Sequence, residues 1–126
     1  MKQKILYVDD EQVNLYLFNL TFKNYYEILL AESGIQGLAT LEENPDIKLV
    51  ISDMRMPGMN GLEFIETANQ TFPNKVYFML TGFQKTEEIQ AALSKNLIQS
   101  YFTKPFSKTE LLAEIQQVLD PNIQSL

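Results

Sequence analysis

Neither cysteine nor histidine occurs anywhere in the 126 residues of this chain. The missing thiols exclude disulfides and thiolate chemistry. The missing imidazoles exclude more: a Ser-His-Asp triad, a histidine general base and a histidine-ligated zinc site all fall away. Phosphoryl chemistry that runs through a histidine must take that histidine from a partner. Positive charge is also scarce, with 10 Lys and Arg against 16 Asp and Glu, for a net charge of -6. That balance weighs against a nucleic-acid partner, since phosphate binding needs a basic footprint. No run approaches the roughly 20 apolar residues of a membrane span. A strand pattern starts within the first few residues, so no signal peptide is expected and the expected location is cytoplasmic. The length suits one domain with a proper core.

Short apolar runs alternate with longer amphipathic segments. The runs are Ile5–Val8, Ile28–Ala31, Leu49–Ile51, Val76–Leu80 and Ile98–Phe102. Their length and continuous apolar character suit strands buried on both faces. In the first helical pattern Val13, Leu17 and Leu20 recur at spacings of four and three; in the last, Leu111, Leu112, Ile115, Val118 and Leu119 do so. Ser33, Asn60 and Ser107 each stand three residues before an amide or acid (Gln36, Glu63, Glu110), which marks helix starts. Thr86 before Glu87 and Glu88 marks a fourth, and Pro121 stops the last helix. Five strands and five helices in strict alternation predict an α/β fold, with a doubly wound parallel sheet covered on both faces. Residues 1–120 form the expected domain and 121–126 a short C-terminal tail, with no output domain expected beyond it.

In such folds ligands sit beyond the carboxyl ends of the strands, so the residues leaving each strand carry the most information. The first strand runs into Asp9, Asp10 and Glu11; the third into Asp53; the fourth into Thr81 and Gly82; the fifth into Lys104. Two carboxylates about 4 Å apart repel by about 4 kcal/mol at an effective dielectric near 20, so a cluster of them calls for a cation. Oxygen ligands without imidazole or thiolate select a hard ion such as Mg2+, with Mn2+ as an alternative. An aspartate beside such an ion can act as a nucleophile toward phosphorus. Lys104 would then pair with one phosphoryl oxygen, and the Thr81 hydroxyl would donate to another.

The motifs "VDDE" (8–11), "SDMRMPGMNGLEF" (52–64), "LTG" (80–82) and "TKPF" (103–106), each closing a strand, resemble those of a two-component response regulator receiver domain, similar to the chemotaxis response regulator. The resemblance runs from Lys4 to about Leu119. It implies a flavodoxin-like sheet of strand order 2-1-3-4-5. It implies that Asp53 accepts a phosphoryl group from a histidine kinase or histidine phosphotransfer protein. Asp9, Asp10, Asp53 and the backbone carbonyl of Arg55 would hold Mg2+, Thr81 and Lys104 would contact the phosphoryl group, and the Lys104–Pro105 peptide would be cis. Tyr101 matches the family's aromatic switch position, coupled through Thr81 to a face made by the fourth helix, fifth strand and fifth helix. That face would include Glu87, Ala91, Tyr101, Phe106 and Lys108, and would serve a downstream protein target or a homodimer. Arg55 and Phe83 flank the water path in receivers and would tune the lifetime of the phosphorylated state, Phe83 by shielding. Such a protein promotes its own phosphorylation and dephosphorylation without being a conventional enzyme.

Taken one at a time, these residues have ordinary roles. An Asp pair before a helix can be a cap, Thr-Gly a turn, and Lys-Pro a strand terminator. The methionines Met54, Met56 and Met59 read as adaptable packing. Other doubly wound classes fail on specifics. A flavodoxin loop would be repelled by Asp9, Asp10 and Glu11, no G-x-G-x-x-G run exists, and "VDDEQ" lacks the Asp-x-Asp of haloacid-dehalogenase-like phosphatases. The remaining rival is a receiver-shaped adaptor that acts by protein–protein contact without phosphorylation. Such adaptors usually lose an acid, the hydroxyl or the lysine; this chain keeps all of them.

Overall fold

The computed structural model describes residues 2–82 and 85–120; Phe83 and the 121–126 tail lie outside the described residues. The elements alternate as β1 (Lys4–Val8), α1 (Gln12–Phe22), β2 (Glu27–Ala31), α2 (Gly34–Glu43), β3 (Leu49–Ser52), α3 (Gly61–Thr71), β4 (Val76–Thr81), α4 (Glu87–Ser94), β5 (Ser100–Thr103) and α5 (Lys108–Leu119). The five strands are parallel, as the alternation predicts, and run in the order β2-β1-β3-β4-β5 that the resemblance implies. Among the described residues no helix is long and apolar enough to cross a membrane.

The helices begin where capping chemistry marks them. Ser33, Thr86 and Ser107 each accept a hydrogen bond from the amide three residues on. At Asn60 the reciprocal box closes, because the Glu63 carboxylate also accepts from the Asn60 amide at 2.9 Å. Strand period two then divides the core. Ile5, Tyr7, Leu49, Ile51, Phe78 and Leu80 face α1 and α5, and Leu6, Val8, Val50, Tyr77 and Met79 face the other layer.

Two sequence readings shift. The helix over α1 is present, but Val13, Leu17 and Leu20 lie on its solvent side, with Val13 67% exposed; Leu15, Phe18 and Phe22 face the sheet instead. Apolar residues ring this helix, so spacing alone offers two candidate faces. The phenylalanines decide between them, since aromatic rings bury the larger area and Phe18 stacks on Tyr7 at 4.3 Å between centroids. At the other edge β5 starts at Ser100, two residues after Ile98. Asn96 takes a left-handed φ of 62°, and the amide of Ile98 turns back to the Ala92 carbonyl at 3.3 Å. Ile98 is fully buried, but as the plug behind α4 rather than as a rung of the sheet.

Candidate functional site

Ladder bonds deliver the site residues. The Val8↔Ser52 pairing of β1 with β3 sets Asp9 and Asp53 side by side one residue further on. Their amides continue the sheet, Asp53 donating to the Val8 carbonyl at 2.9 Å and Asp9 to Ala31 at 3.1 Å. At the far side, the amide of Lys104 donates to the Thr81 carbonyl at 2.9 Å, and the Lys104–Pro105 peptide is cis. Asp9, Asp53 and Thr81 are buried, whereas Asp10 is exposed.

The carboxylates converge. Asp9, Asp10 and Asp53 each offer an oxygen within 4.8 Å of the others. Lys104 reaches between two of them, its Nζ 2.6 Å from Asp9 Oδ2 and 3.3 Å from Asp53 Oδ2. Asp53 Oδ1 accepts from the Met54 amide at 2.8 Å. Burial pushes the Asp53 carboxyl above its ordinary range; the Lys104 charge opposes that shift and the Asp9 charge adds to it. The Thr81 hydroxyl faces this carboxylate and its dipole favours the ionised form, yet it makes no well-formed hydrogen bond with a described residue.

Two contributors are not singled out by the motifs. Tyr7 is buried and donates its phenol to Asp9 Oδ2 at 2.6 Å. Burial and the Asp9 charge push that phenol far up, so it stays protonated and keeps donating. Its signal was in the strand period, since residues two apart share a face. Gly61 opens α3 directly against the Asp53 backbone, and its amide donates to the Met54 carbonyl at 2.7 Å. A Cβ there would sit 2.1 Å from the Asp53 carbonyl oxygen. No pattern in the sequence shows so close an approach.

The remaining candidates are placed as follows. Arg55 is exposed on the loop after Asp53 and lines a shallow hollow with Met56, Pro57 and Asn60. Tyr101 is half-buried against the layer of α2, α3 and α4, and the Lys85 ammonium lies 5.8 Å from its ring centroid. Glu87 and Ala91 are exposed on α4. Phe106 and Lys108 turn toward α1, away from the face expected to include them. Phe106 stacks on Phe22 at 5.7 Å, and the Lys108 ammonium lies 5.2 Å from the Tyr25 ring. Phe18 and Phe22 on α1 hold Phe106 there, and Tyr25, in the loop after α1, holds Lys108.

Residues 5–116 match the model of the response regulator receiver domain family. The chain belongs to that family. This receiver domain is 31% identical over 123 residues to chemotaxis protein CheY1 of Helicobacter pylori strain J99, covering 94% of this chain and 98% of that one. It is 27% identical over 116 residues to the hydrogenase transcriptional regulatory protein HoxA of Cupriavidus necator, covering 92% of this chain but only 24% of that protein's length. Among solved structures it resembles the response regulator protein TrrA of Thermotoga maritima, determined in complex with Mg2+–BeF, with a TM-score of 0.80 and 29% identity over 94% of this chain and 99% of that one. As a receiver domain of two-component systems it belongs with regulators rather than conventional enzymes.

Proposed function

We propose that this receiver domain is a phosphoacceptor, with Asp53 taking a phosphoryl group from a phosphohistidine on a histidine kinase or phosphotransfer protein. The carrying observation is the convergence of Asp9, Asp10 and Asp53 within 4.8 Å, with Lys104 bridging Asp9 and Asp53. Oxygen donors alone, one of them exposed to solvent, fit a hard ion that keeps part of its hydration, as Mg2+ does. Asp9, Asp10, Asp53 and the Arg55 carbonyl would hold it, and when bound it supplies positive charge against the phosphoryl oxygens.

In the transfer, an Asp53 carboxylate oxygen attacks phosphorus in line with the leaving nitrogen. The new O–P bond forms as the P–N bond breaks, and that electron pair stays on the partner's imidazole. Lys104 turns from the Asp53 carboxylate to a phosphoryl oxygen, and the Thr81 hydroxyl, which lacks a well-formed bond among the described residues, donates to another. In this reading Arg55 lies over the phosphoryl group from the rim of the site, Phe83 shields it from water, and the protein acts in the cytoplasm.

Incubation with acetyl phosphate and Mg2+ should add the mass of one phosphoryl group, and chelation of the metal should prevent it. No mass gain with Mg2+ present leaves the adaptor reading in its place. Decay of the same signal in Arg55→Ala and Phe83→Ala reads whether either residue governs lifetime; rates equal to wild type remove that role.

Phosphorylation should then be felt at Tyr101. Drawing the Thr81 hydroxyl toward the phosphate vacates room behind it, and the half-buried ring moves in, altering the face of α4, β5 and α5 that meets a downstream protein or a second copy. This is a two-state element biased by a ligand. NMR shifts of Glu87, Ala91 and Tyr101 should change on adding a phosphoryl mimic with Mg2+; unchanged shifts at all of them would remove the switch.

A further inference from the structure

The Asp9 carboxylate is held by unequal donors. Its Oδ1 accepts from the Glu11 amide at 3.0 Å. Its Oδ2 accepts twice, from Lys104 Nζ at 2.6 Å and from the Tyr7 phenol at 2.6 Å. Lys104 is a point charge on a flexible stem, and it is shared, since the same nitrogen stands 3.3 Å from Asp53. A lysine that serves a phosphoryl group on Asp53 is drawn off Asp9. Tyr7 has no such freedom. It lies within β1, 1% exposed, its ring stacked on Phe18 with an interplanar angle of 16°, and Phe18 in turn packs on Phe22.

We propose that Tyr7 is a positioning residue of the phosphoacceptor site, holding the Asp9 carboxylate in its metal-binding orientation whether or not Lys104 is on it. The inference rests on the Mg2+-dependent reading above. The two donors share one acceptor oxygen, so their contributions are not independent. With both present, each covers part of the other's loss; with Lys104 gone, the phenol is the only remaining described side chain that holds that oxygen. A phenol that merely satisfied its own hydrogen bond would show no such dependence.

The test is a double-mutant cycle read by calorimetric titration of the full chain with MgCl2. Tyr7→Phe removes only the hydroxyl and leaves a ring to stack on Phe18, so the fold is kept. In the wild-type background it should weaken Mg2+ binding about threefold. In a Lys104→Met background the same change should weaken it about tenfold or more, within the range that loss of a group orienting a metal ligand costs. An equal or smaller factor in the Lys104→Met background, including no loss in either, overturns the inference. A wild-type chain that binds no Mg2+ instead overturns the metal reading on which it rests, so the two failures are told apart.

Discussion

Asp53→Asn should abolish phosphorylation outright and, at the same time, make the metal-free protein more stable. The amide has no anionic oxygen to attack phosphorus, so the mass gain with acetyl phosphate should vanish. The stability gain comes from charge. Asp53 is buried beside Asp9, and its carboxyl is held above the ordinary range chiefly by burial, so the ionised form is costly in the folded state. Asn60 and its cap are untouched, and the oxygen of the substituted side chain can still accept from the Met54 amide. Lys104 loses one of its partners, which offsets part of the gain. We expect a net stabilisation of about 1 kcal/mol, a fraction of the roughly 4 kcal/mol of repulsion between close carboxylates at intermediate dielectric. For a domain of this size that is roughly 3–5 °C in the unfolding midpoint. Mg2+ should raise the wild-type midpoint by mass action and raise that of Asp53→Asn much less. Thermal unfolding of both proteins with and without MgCl2 checks this. An Asp53→Asn protein that still gains phosphate, or a wild-type midpoint indifferent to tens of millimolar Mg2+, would show that the site is misassigned.

Gly61→Ala should be the most damaging of the glycine-to-alanine changes. The new carbon would meet the Asp53 carbonyl oxygen at 2.1 Å and the Met54 Cα at 2.9 Å, and both are backbone atoms. Neither can step aside by changing a rotamer. The Asp53 carbonyl is also fixed from the other side, where the Ser52 hydroxyl donates to it at 2.8 Å. The expected cost is about 3 kcal/mol, at the upper end of what overpacking a rigid site costs. The phosphoacceptor is displaced in the process, so phosphorylation by acetyl phosphate should slow at least tenfold even where the variant is folded. Denaturant unfolding and the phosphorylation rate together test it. A variant within about 0.5 kcal/mol of wild type, with unchanged phosphorylation, would mean that the α3 start yields easily. Gly58→Ala is an informative contrast: its Cβ would meet nothing within 4 Å, and only its left-handed φ of 78° opposes the change.

The sequence shows most plainly what depends on order along the chain. Alternation of short apolar runs with capped helices reveals the sheet and its two layers, because each run is about as long as the strand it becomes and each cap accepts the bond its spacing promises. Asp9, Asp53, Thr81 and Lys104 could be brought together on paper because all sit at the carboxyl ends of parallel strands. Choices between equivalent neighbours were hidden. The spacing in α1 allows a Val13–Leu17–Leu20 face as readily as a Leu15–Phe18–Phe22 face, and the two phenylalanines decide between them by the area they bury, with Phe18 stacked on Tyr7 across the layer. The same cluster claims Phe106, which no local pattern reveals. Ile98 reads as strand by its apolarity, and its place outside the ladder depends on one left-handed residue, Asn96. Gly61 is a backbone approach between segments, legible only once α3 is docked.

The outer face of α1 has a colloidal consequence. No charged residue occurs between Gln12 and Phe22, and Val13, Tyr16, Leu17 and Leu20 are all exposed on that helix. Such a face has no ionic repulsion of its own. Ionic repulsion between copies comes from the field of the remaining surface, set by a net charge of -6 at neutral pH. That field fades as the medium is acidified toward the isoelectric point near 4.6, and concentrated salt screens it to within a few ångströms. Ionic repulsion between copies of this domain is therefore a property of its acidic remainder, lent to a helix that carries no charge of its own.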